Sequence, residues 1–168
     1  MKPYEIDKIE ESILEILSSN AKASPEDISK QLNITPEEVI KKIEKLEKEK
    51  IILGYKTHIN WQRVKQHEVQ ALIEVRVTPE KSVGFDHVAE QIYKFDEVSS
   101  VTLMSGGYDL LVIVEGKNLR DVALFVAEKL ATIKGVLSTV SHFILKKFKE
   151  DHVVLVDQGE TKRLPIAP

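Results

Sequence analysis

Apolar residues recur at two different spacings along this chain, and the change of spacing divides it into two parts. Up to about residue 60, apolar positions three and four apart predict amphipathic helices. Beyond about residue 68, apolar and polar positions alternate, which predicts half-buried strands. The first helix should run from about Asp7 to Ser18. Its predicted apolar face consists of Ile6, Ile9, Ile13, Ile16 and Leu17.

Two more helices are marked by their N-terminal signals. Ser24-Pro25 and Thr35-Pro36 each supply an N-cap and a proline at the first helical position, and two acidic residues follow. Asn33 between these helices suits a left-handed turn, and residues 51–59 suggest strand, glycine, strand. Together these elements predict a winged helix-turn-helix over residues 1–60. The alternative is a small helical packing domain with no role at DNA.

The second part of the chain repeats a pattern of strand and helix. Its apolar spacing predicts the order β-α-β-β-α-β, with a long last strand over residues 136–148. This order is typical of a ferredoxin-like fold, in which an antiparallel sheet carries both helices on one face. The fold class is therefore α+β, an N-terminal winged helix-turn-helix plus a C-terminal ferredoxin-like domain. The predicted divisions are the winged domain 1–60, a linker 61–67, the ferredoxin-like domain 68–150 and a tail 151–168, in which Val153 to Val156 could add an edge strand.

The predicted sheet has more apolar residues than two helices on one face can cover. Leu72 lies on the otherwise polar side of the first strand, and residues 110–114 and 136–148 are apolar on both sides. A sheet with an apolar open face usually docks on another copy of itself. We therefore expect a homodimer built on the second domain.

Charge restricts how this chain could bind nucleic acid. The 168 residues carry a formal net charge of −3, and the first 60 residues hold 10 lysines, 12 acidic residues and no arginine. A uniformly basic binder is therefore excluded. Contact with DNA must depend on lysines placed on one helix face.

Several classes of site are excluded by composition. The chain has no cysteine, which excludes disulfides, thiolate catalysis and cysteine-based zinc sites. No apolar run is long enough to span a membrane, and the charged N-terminus does not resemble a signal peptide. The five histidines show no metal-ligand spacing. We expect a cytoplasmic protein with no membrane partner, cofactor, metal site or catalytic residue.

The two-domain pattern resembles the Lrp/AsnC family, the leucine-responsive or feast/famine regulators. In the first domain the resemblance rests on Ile13-Leu14, Ile28 to Pro36, Val39, Ile43, Leu46 and Ile51 to Tyr55. In the second domain Gly106-Gly107-Tyr108-Asp109 is similar to the family's Gly-x-Tyr-Asp hairpin. Gly135-Val136 and Ser138-Thr139 precede the last strand, as the family pattern expects. The resemblance covers about residues 4–150.

The resemblance implies a transcriptional regulator of double-stranded DNA. Family members dimerise through the second domain, often assemble further into octamers, and bind a small effector, frequently an amino acid, at contacts between dimers. The implied effector-binding residues are Gly106, Gly107, Tyr108, Asp109, Ser138 and Thr139. Backbone amides near the glycines could hold a carboxylate and Asp109 could take an ammonium group. The alternative is that the glycine pair and Asp109 only shape a tight turn.

The third helix is the expected DNA-reading element, because the second helix of such a motif enters the major groove with its N-terminal half. The expected DNA-binding residues are Thr35, Glu37, Glu38, Lys41, Lys42, Lys45 and Lys48. Lysine can contact phosphate or guanine, and glutamate can accept a hydrogen bond from cytosine. The chain departs from the family's frequent use of arginine here, since its first arginine is Arg63. The alternative is a solvated face, stabilised by glutamate and lysine four residues apart.

Two further function classes stay open from the sequence. Some siroheme decarboxylases resemble the same two-domain layout, and His142 would be the nearest candidate for a tetrapyrrole pocket. A third possibility is an oligomeric sensor of small molecules that does not bind DNA.

Overall fold

The computed structural model describes residues 4–61, 69–79 and 84–156. The chain divides into two compact units, residues 1–59 and residues 60–168. Apart from Trp61, the predicted linker over residues 61–67 lies outside the described residues. No helix in the described part of the chain is long and apolar enough to cross a membrane.

The first unit consists of three helices, of which the second and third begin where their capping signals predict. They are α1 (Lys8–Ser19), α2 (Pro25–Leu32) and α3 (Pro36–Lys48). The side chains of Asp7, Ser24 and Thr35 accept hydrogen bonds from the backbone N–H groups of the first helical turns. Asn33 ends α2 in the left-handed conformation, with φ of 54°. Ile13, Ile28 and Val39 form the centre of the core, one from each helix.

The predicted apolar face of α1 is wrong in its first turn. Glu10 is only 1% exposed, whereas Ile6 and Ile9 are exposed by 42% and 36%. Residues three and four apart share a helix face, so Glu10 lies on the same side as the buried Ile13. Its carboxylate is buried there because it finds polar partners, which are described below.

The predicted strands of the wing do not form. Residues 51–60 pair in no ladder, and the N–H groups of Ile51 and Ile52 instead donate to the carbonyl of Leu46, at 2.8 and 3.1 Å. The predicted connection between the two strands is the single residue Gly54, which is shorter than the two-residue loop of a tight hairpin. A ribbon of two strands is also only marginally stable in water without a surface to pack on.

The second unit confirms the predicted order β-α-β-β-α-β. Its elements are β1 (Val69–Val77), α4 (Asp86–Ile92), β2 (Val98–Leu103), β3 (Leu110–Gly116), α5 (Leu119–Glu128), a 3-10 turn (Leu130–Thr132) and β4 (Val136–Phe143). The antiparallel sheet has the strand order β2-β3-β1-β4, so β1 is a central strand although it comes first in the chain. The core lies between the sheet and the helices and includes Ile73, Val112, Ile92 and Phe125.

The last strand is shorter than predicted. Phe143 pairs with Ala71, and the N–H of Ile144 donates to the carbonyl of Gln70. Phe143 thus lies opposite the start of β1, which begins at Val69. The pairing of β4 therefore ends before Phe148, the predicted end of the strand.

The residues after β4 form a hairpin of their own. Val153 and Val154 do not add an edge strand to the main sheet; as β6 (Val153–Val154) they pair with β5 (Lys149–Glu150). Asp151 and His152 turn the chain with positive φ angles of 43° and 68°, as a tight hairpin turn requires. Beyond this hairpin, the Asn60 side chain donates to the carbonyl of Leu155 at 2.7 Å, which joins the first and last parts of the second unit.

Candidate functional site

The N-terminus of α3 is closed by a reciprocal cap. The Thr35 hydroxyl accepts from the N–H of Glu38 at 3.2 Å, and the Glu38 carboxylate accepts from the N–H of Thr35 at 2.9 Å. The Thr35 backbone N–H, and then the Thr35 hydroxyl, which donates to Glu38 Oε2 at 3.2 Å, hold the pKa of Glu38 below its ordinary value. Two of the residues predicted to contact DNA therefore already serve to begin the helix.

Two of the predicted DNA-binding lysines reach back to α1. Lys42 Nζ lies 2.6 Å from Asp7 Oδ2, and Lys45 Nζ lies 2.9 Å from Glu10 Oε1. Lys45 Nζ also lies 5.2 Å from the centre of the Tyr4 ring, in the range of a cation–π contact. These lysines connect α3 to the start of α1, although the Lys45 side chain is still 55% exposed.

Glu10 is the buried centre of this arrangement. Its Oε1 also accepts from the Tyr4 hydroxyl, and its Oε2 accepts from the N–H of Asp7, both at 3.1 Å. Burial alone would raise the pKa of Glu10, but the hydrogen bonds from Lys45, Asp7 and Tyr4 outweigh it and lower that pKa below its ordinary value. The hydrogen bonds of the Lys45 ammonium with Tyr4 and with Glu10 raise the pKa of Lys45.

The remaining residues predicted to contact DNA lie on the outward face of α3. Glu37, Lys41 and Lys48 are exposed, as is Glu44, and together they form a charged surface along the helix. Ile40 is exposed beside them, and the predicted set did not include it. An apolar residue on a charged helix face is the sequence signal that could have identified it.

The effector residues predicted in the second unit surround the C-terminal end of β1. The N–H of Asp109 donates to the carbonyl of Val75 at 3.1 Å, and Asp109 Oδ2 accepts from the N–H of Val77 at 2.9 Å. The Asp109 carboxylate thus fixes the 106–109 hairpin against β1. Ser138 and Thr139 lie on the other side of β1, where they pair with Arg76 and Val75.

Arg76 joins the two halves of this predicted site. It is the cross-strand partner of Ser138 on the adjacent strand β4. Its Nε donates to the carbonyl of Gly107 at 2.9 Å. Arg76 is absent from the predicted set, although an arginine near the end of an alternating apolar strand, three residues before Pro79, was a visible signal.

The sheet face away from the helices is mixed in character. Leu72, Leu111 and Ile113 are half-buried at its centre, and Val140 is exposed beside them. His142 lies on this face with its Nε2 3.1 Å from Glu74 Oε1. Among the described residues, no group of three or more histidine and acidic side chains is placed to hold a metal ion.

Family models match both parts of the chain. An AsnC-type helix-turn-helix domain matches residues 6–47, and the Lrp/AsnC ligand binding domain matches residues 70–154. The chain belongs to the Lrp/AsnC family. It is a DNA-binding transcriptional regulator with a ligand-binding domain, and the resemblance stated from the sequence is confirmed.

Relatives and solved structures agree with this assignment. The helix-turn-helix transcriptional regulator YugG of Bacillus subtilis is 51% identical over 160 residues, which cover 95% of this chain and 96% of that protein. The structure of Escherichia coli AsnC matches with a TM-score of 0.66 at 23% identity, covering 86% of this chain and 95% of the other. A complex of the Neisseria meningitidis regulator NMB0573 with L-Met matches with a TM-score of 0.67 at 24% identity, covering 87% and 94%.

The Lrp/AsnC assignment decides between regulator and enzyme. The relatives are transcriptional regulators, so this chain is not an enzyme, and the alternative of a siroheme decarboxylase is set aside.

The Glu10 network predicts an acid-sensitive contact between α1 and α3. Because the folded state lowers the pKa of Glu10 and Asp7, their contribution to stability is present above the ordinary carboxyl pKa values. It is lost as the pH falls through the folded pKa values. Glu10→Gln should lower the opening free energy of α1 and α3 by about 1–3 kcal/mol at neutral pH and should weaken its pH dependence.

Amide hydrogen exchange of the full chain, corrected for intrinsic rates, measures this effect peptide by peptide. Glu15→Gln is the control, since Glu15 is exposed on the same helix. Equal losses in both variants, or an unchanged acid response in Glu10→Gln, would show that the network does not hold the helices together.

Proposed function

We propose that this Lrp/AsnC regulator is a homodimer that binds specific DNA sequences through α3 and responds to a small effector, an amino acid. The observation that carries the proposal is the position of α3 as the second helix of the helix-turn-helix, with its charged face outward. The match of residues 70–154 to the Lrp/AsnC ligand binding domain supports the proposed response to an effector. A role at DNA also supports the predicted cytoplasmic location.

DNA contact is assigned to the outward residues of α3. Lys41 and Lys48 offer exposed cations for phosphate or guanine, and Glu37 lies in the first turn where it could accept from cytosine. Lys42 and Lys45 support this surface through their ion pairs with Asp7 and Glu10. Because few cations face outward, we expect weak binding by one domain and stronger binding when a dimer presents two.

Replacing Lys41 and Lys48 by alanine should weaken DNA binding and reduce its salt dependence. Each lost phosphate contact lowers the slope of log affinity against log salt concentration by about one. The measurement is a filter-binding or anisotropy titration at several salt concentrations. Lys117→Ala with Lys134→Ala, two exposed lysines of the second domain, should leave the slope unchanged. An unchanged slope in the α3 variant would remove this face from the DNA contact set.

The homodimer is assigned to the open face of the sheet. Leu72, Leu111 and Ile113 are only half-buried in a single chain, at the centre of two central strands. Burying such residues against a second copy would remove their apolar surface from water. The family's octamers would require further contacts, which stay a prediction.

Leu72→Glu should convert the dimer to a monomer, because it places a charge at the centre of the proposed interface. Light scattering at micromolar concentration should give at least twice the 19.1 kDa chain mass for the unaltered protein and a lower mass for the variant. Leu145→Glu is the control, since Leu145 is 96% exposed and outside the sheet. A monomeric unaltered protein, or a dimeric Leu72→Glu variant with a normal circular dichroism spectrum, would contradict the assignment.

The effector is assigned to the end of β1 between the 106–109 hairpin and residues 138–139. The similar structure of NMB0573 contains L-Met, which supports an amino acid as the effector class here. In this arrangement the Asp109 carboxylate shapes the hairpin through Val77. The glycines, Tyr108, Ser138 and Thr139 are left to line the site.

Asp109→Asn should retain effector binding and Asp109→Ala should weaken it about tenfold. Asparagine keeps an oxygen that can accept from the Val77 N–H, whereas alanine leaves that N–H without its acceptor. A thermal-shift screen of the twenty standard amino acids chooses the probe, and calorimetry measures its affinity. If both variants lose binding equally, Asp109 contacts the ammonium group of the effector instead.

Selection of bound fragments from the source genome tests the whole proposal. The full chain is incubated with sheared DNA, with and without an amino-acid mixture, and retained fragments are sequenced. Enriched sites that change with the mixture are the expected result. No enrichment under either condition, together with amino-acid binding, would favour the sensor that does not bind DNA.

A further inference from the structure

The exposed face of α3 contains one apolar side chain among charged ones. Ile40 is 42% exposed; Glu37 and Glu44 lie three and four residues from it, and Lys41 follows it directly in the chain. These four residues have the spacing 0, 3, 4 and 7 that a recognition helix uses to reach the bases of the major groove. Ile40 therefore occupies a reading position in the N-terminal half of the helix.

The other side chains of this half of α3 have structural partners. Val39 is buried in the core, Glu38 caps the helix, and Lys42 pairs with Asp7. Reading of the bases in this half therefore falls to the exposed Glu37, Ile40 and Lys41, with Glu44 one turn further along. Of these, Ile40 alone lacks a hydrogen-bonding group.

The chemistry of an isoleucine restricts what it can read. In the major groove the apolar group on a base edge is the C5 methyl of thymine, and the other groups there are donors and acceptors. A branched aliphatic side chain gains by covering this methyl and loses by covering a donor or acceptor that water would otherwise satisfy.

We infer that Ile40 specifies a thymine in each half-site of the operator, by packing against its C5 methyl group. This inference rests on the proposed binding of DNA through α3. Lys41 and Glu44 then lie next to Ile40 along the groove, where they contact neighbouring bases or phosphates.

Replacing thymine by uracil tests the contact, because it removes only the methyl group. In a site recovered by the genomic selection, each thymidine is replaced in turn by 2′-deoxyuridine, and affinity is measured by anisotropy. The unaltered protein should lose about fourfold at one thymine per half-site, the effect of one apolar methyl contact. Ile40→Ala should show the same loss on thymine DNA and no response to uracil at that position.

Two further variants separate this contact from a general effect on the helix. Ile40→Val keeps part of the aliphatic surface and should retain an intermediate response to uracil. Ile9→Ala removes an isoleucine of similar exposure from α1 and should respond to uracil as the unaltered protein does. Circular dichroism confirms that each variant is folded.

The outcomes distinguish this inference from the proposed function. A protein that selects specific DNA but is insensitive to uracil at every thymine overturns the role of Ile40 and leaves the regulator intact. The same holds if Ile40→Ala keeps the full response. If no DNA is selected at all, the proposed function itself fails.

Discussion

The buried carboxylate of Glu10 is the interaction on which the arrangement of the DNA-binding domain depends. A charge that is removed from water is tolerated only when partners surround it. Those partners come from the segment before α1 and from α3, through Tyr4, Asp7 and Lys45. The need to satisfy one carboxylate therefore fixes how α1 lies against α3. Lys42 adds a second link to Asp7 in a more exposed position. As a result, two lysines that a helical wheel places near the outer face become part of the scaffold.

Local signals were enough to predict most of the fold, because they act within a few residues. Ser24 and Thr35 cap the helices that follow them, and the alternation of β1 separates its buried face from its open one. The burial of Glu10 was missed because its partner Lys45 is 35 residues away. For the same reason, nothing near Arg76 in the sequence shows that it contacts Gly107, 31 residues later. The prediction of a wing was wrong because a two-stranded ribbon needs a surface to pack on, and a local sequence pattern does not show whether one is present.

Strand β1 connects the two regions of the second domain to which the effector and a second copy of the chain are assigned by proposal. One side of it builds the core with Ile73 and Val75, and the other presents Leu72 on the open face. Its end carries Arg76 and Val77, and the backbone N–H of Val77 donates a hydrogen bond to the Asp109 carboxylate. A ligand at that end and a second copy on the open face would therefore act on the same strand. This gives a direct physical route by which binding of an effector could change assembly, without movement of the buried core.

The hydrogen bond from Asn60 to the carbonyl of Leu155 brings together the two ends of the second domain's described chain. A domain whose ends are adjacent can be inserted into another protein or exchanged as a unit, because both junctions lie at one place on its surface. In its described part, from residue 60 to residue 155, the second domain thus brings its first and last segments to one place. Regulators with new combinations of operator and effector could arise by recombination at that single place.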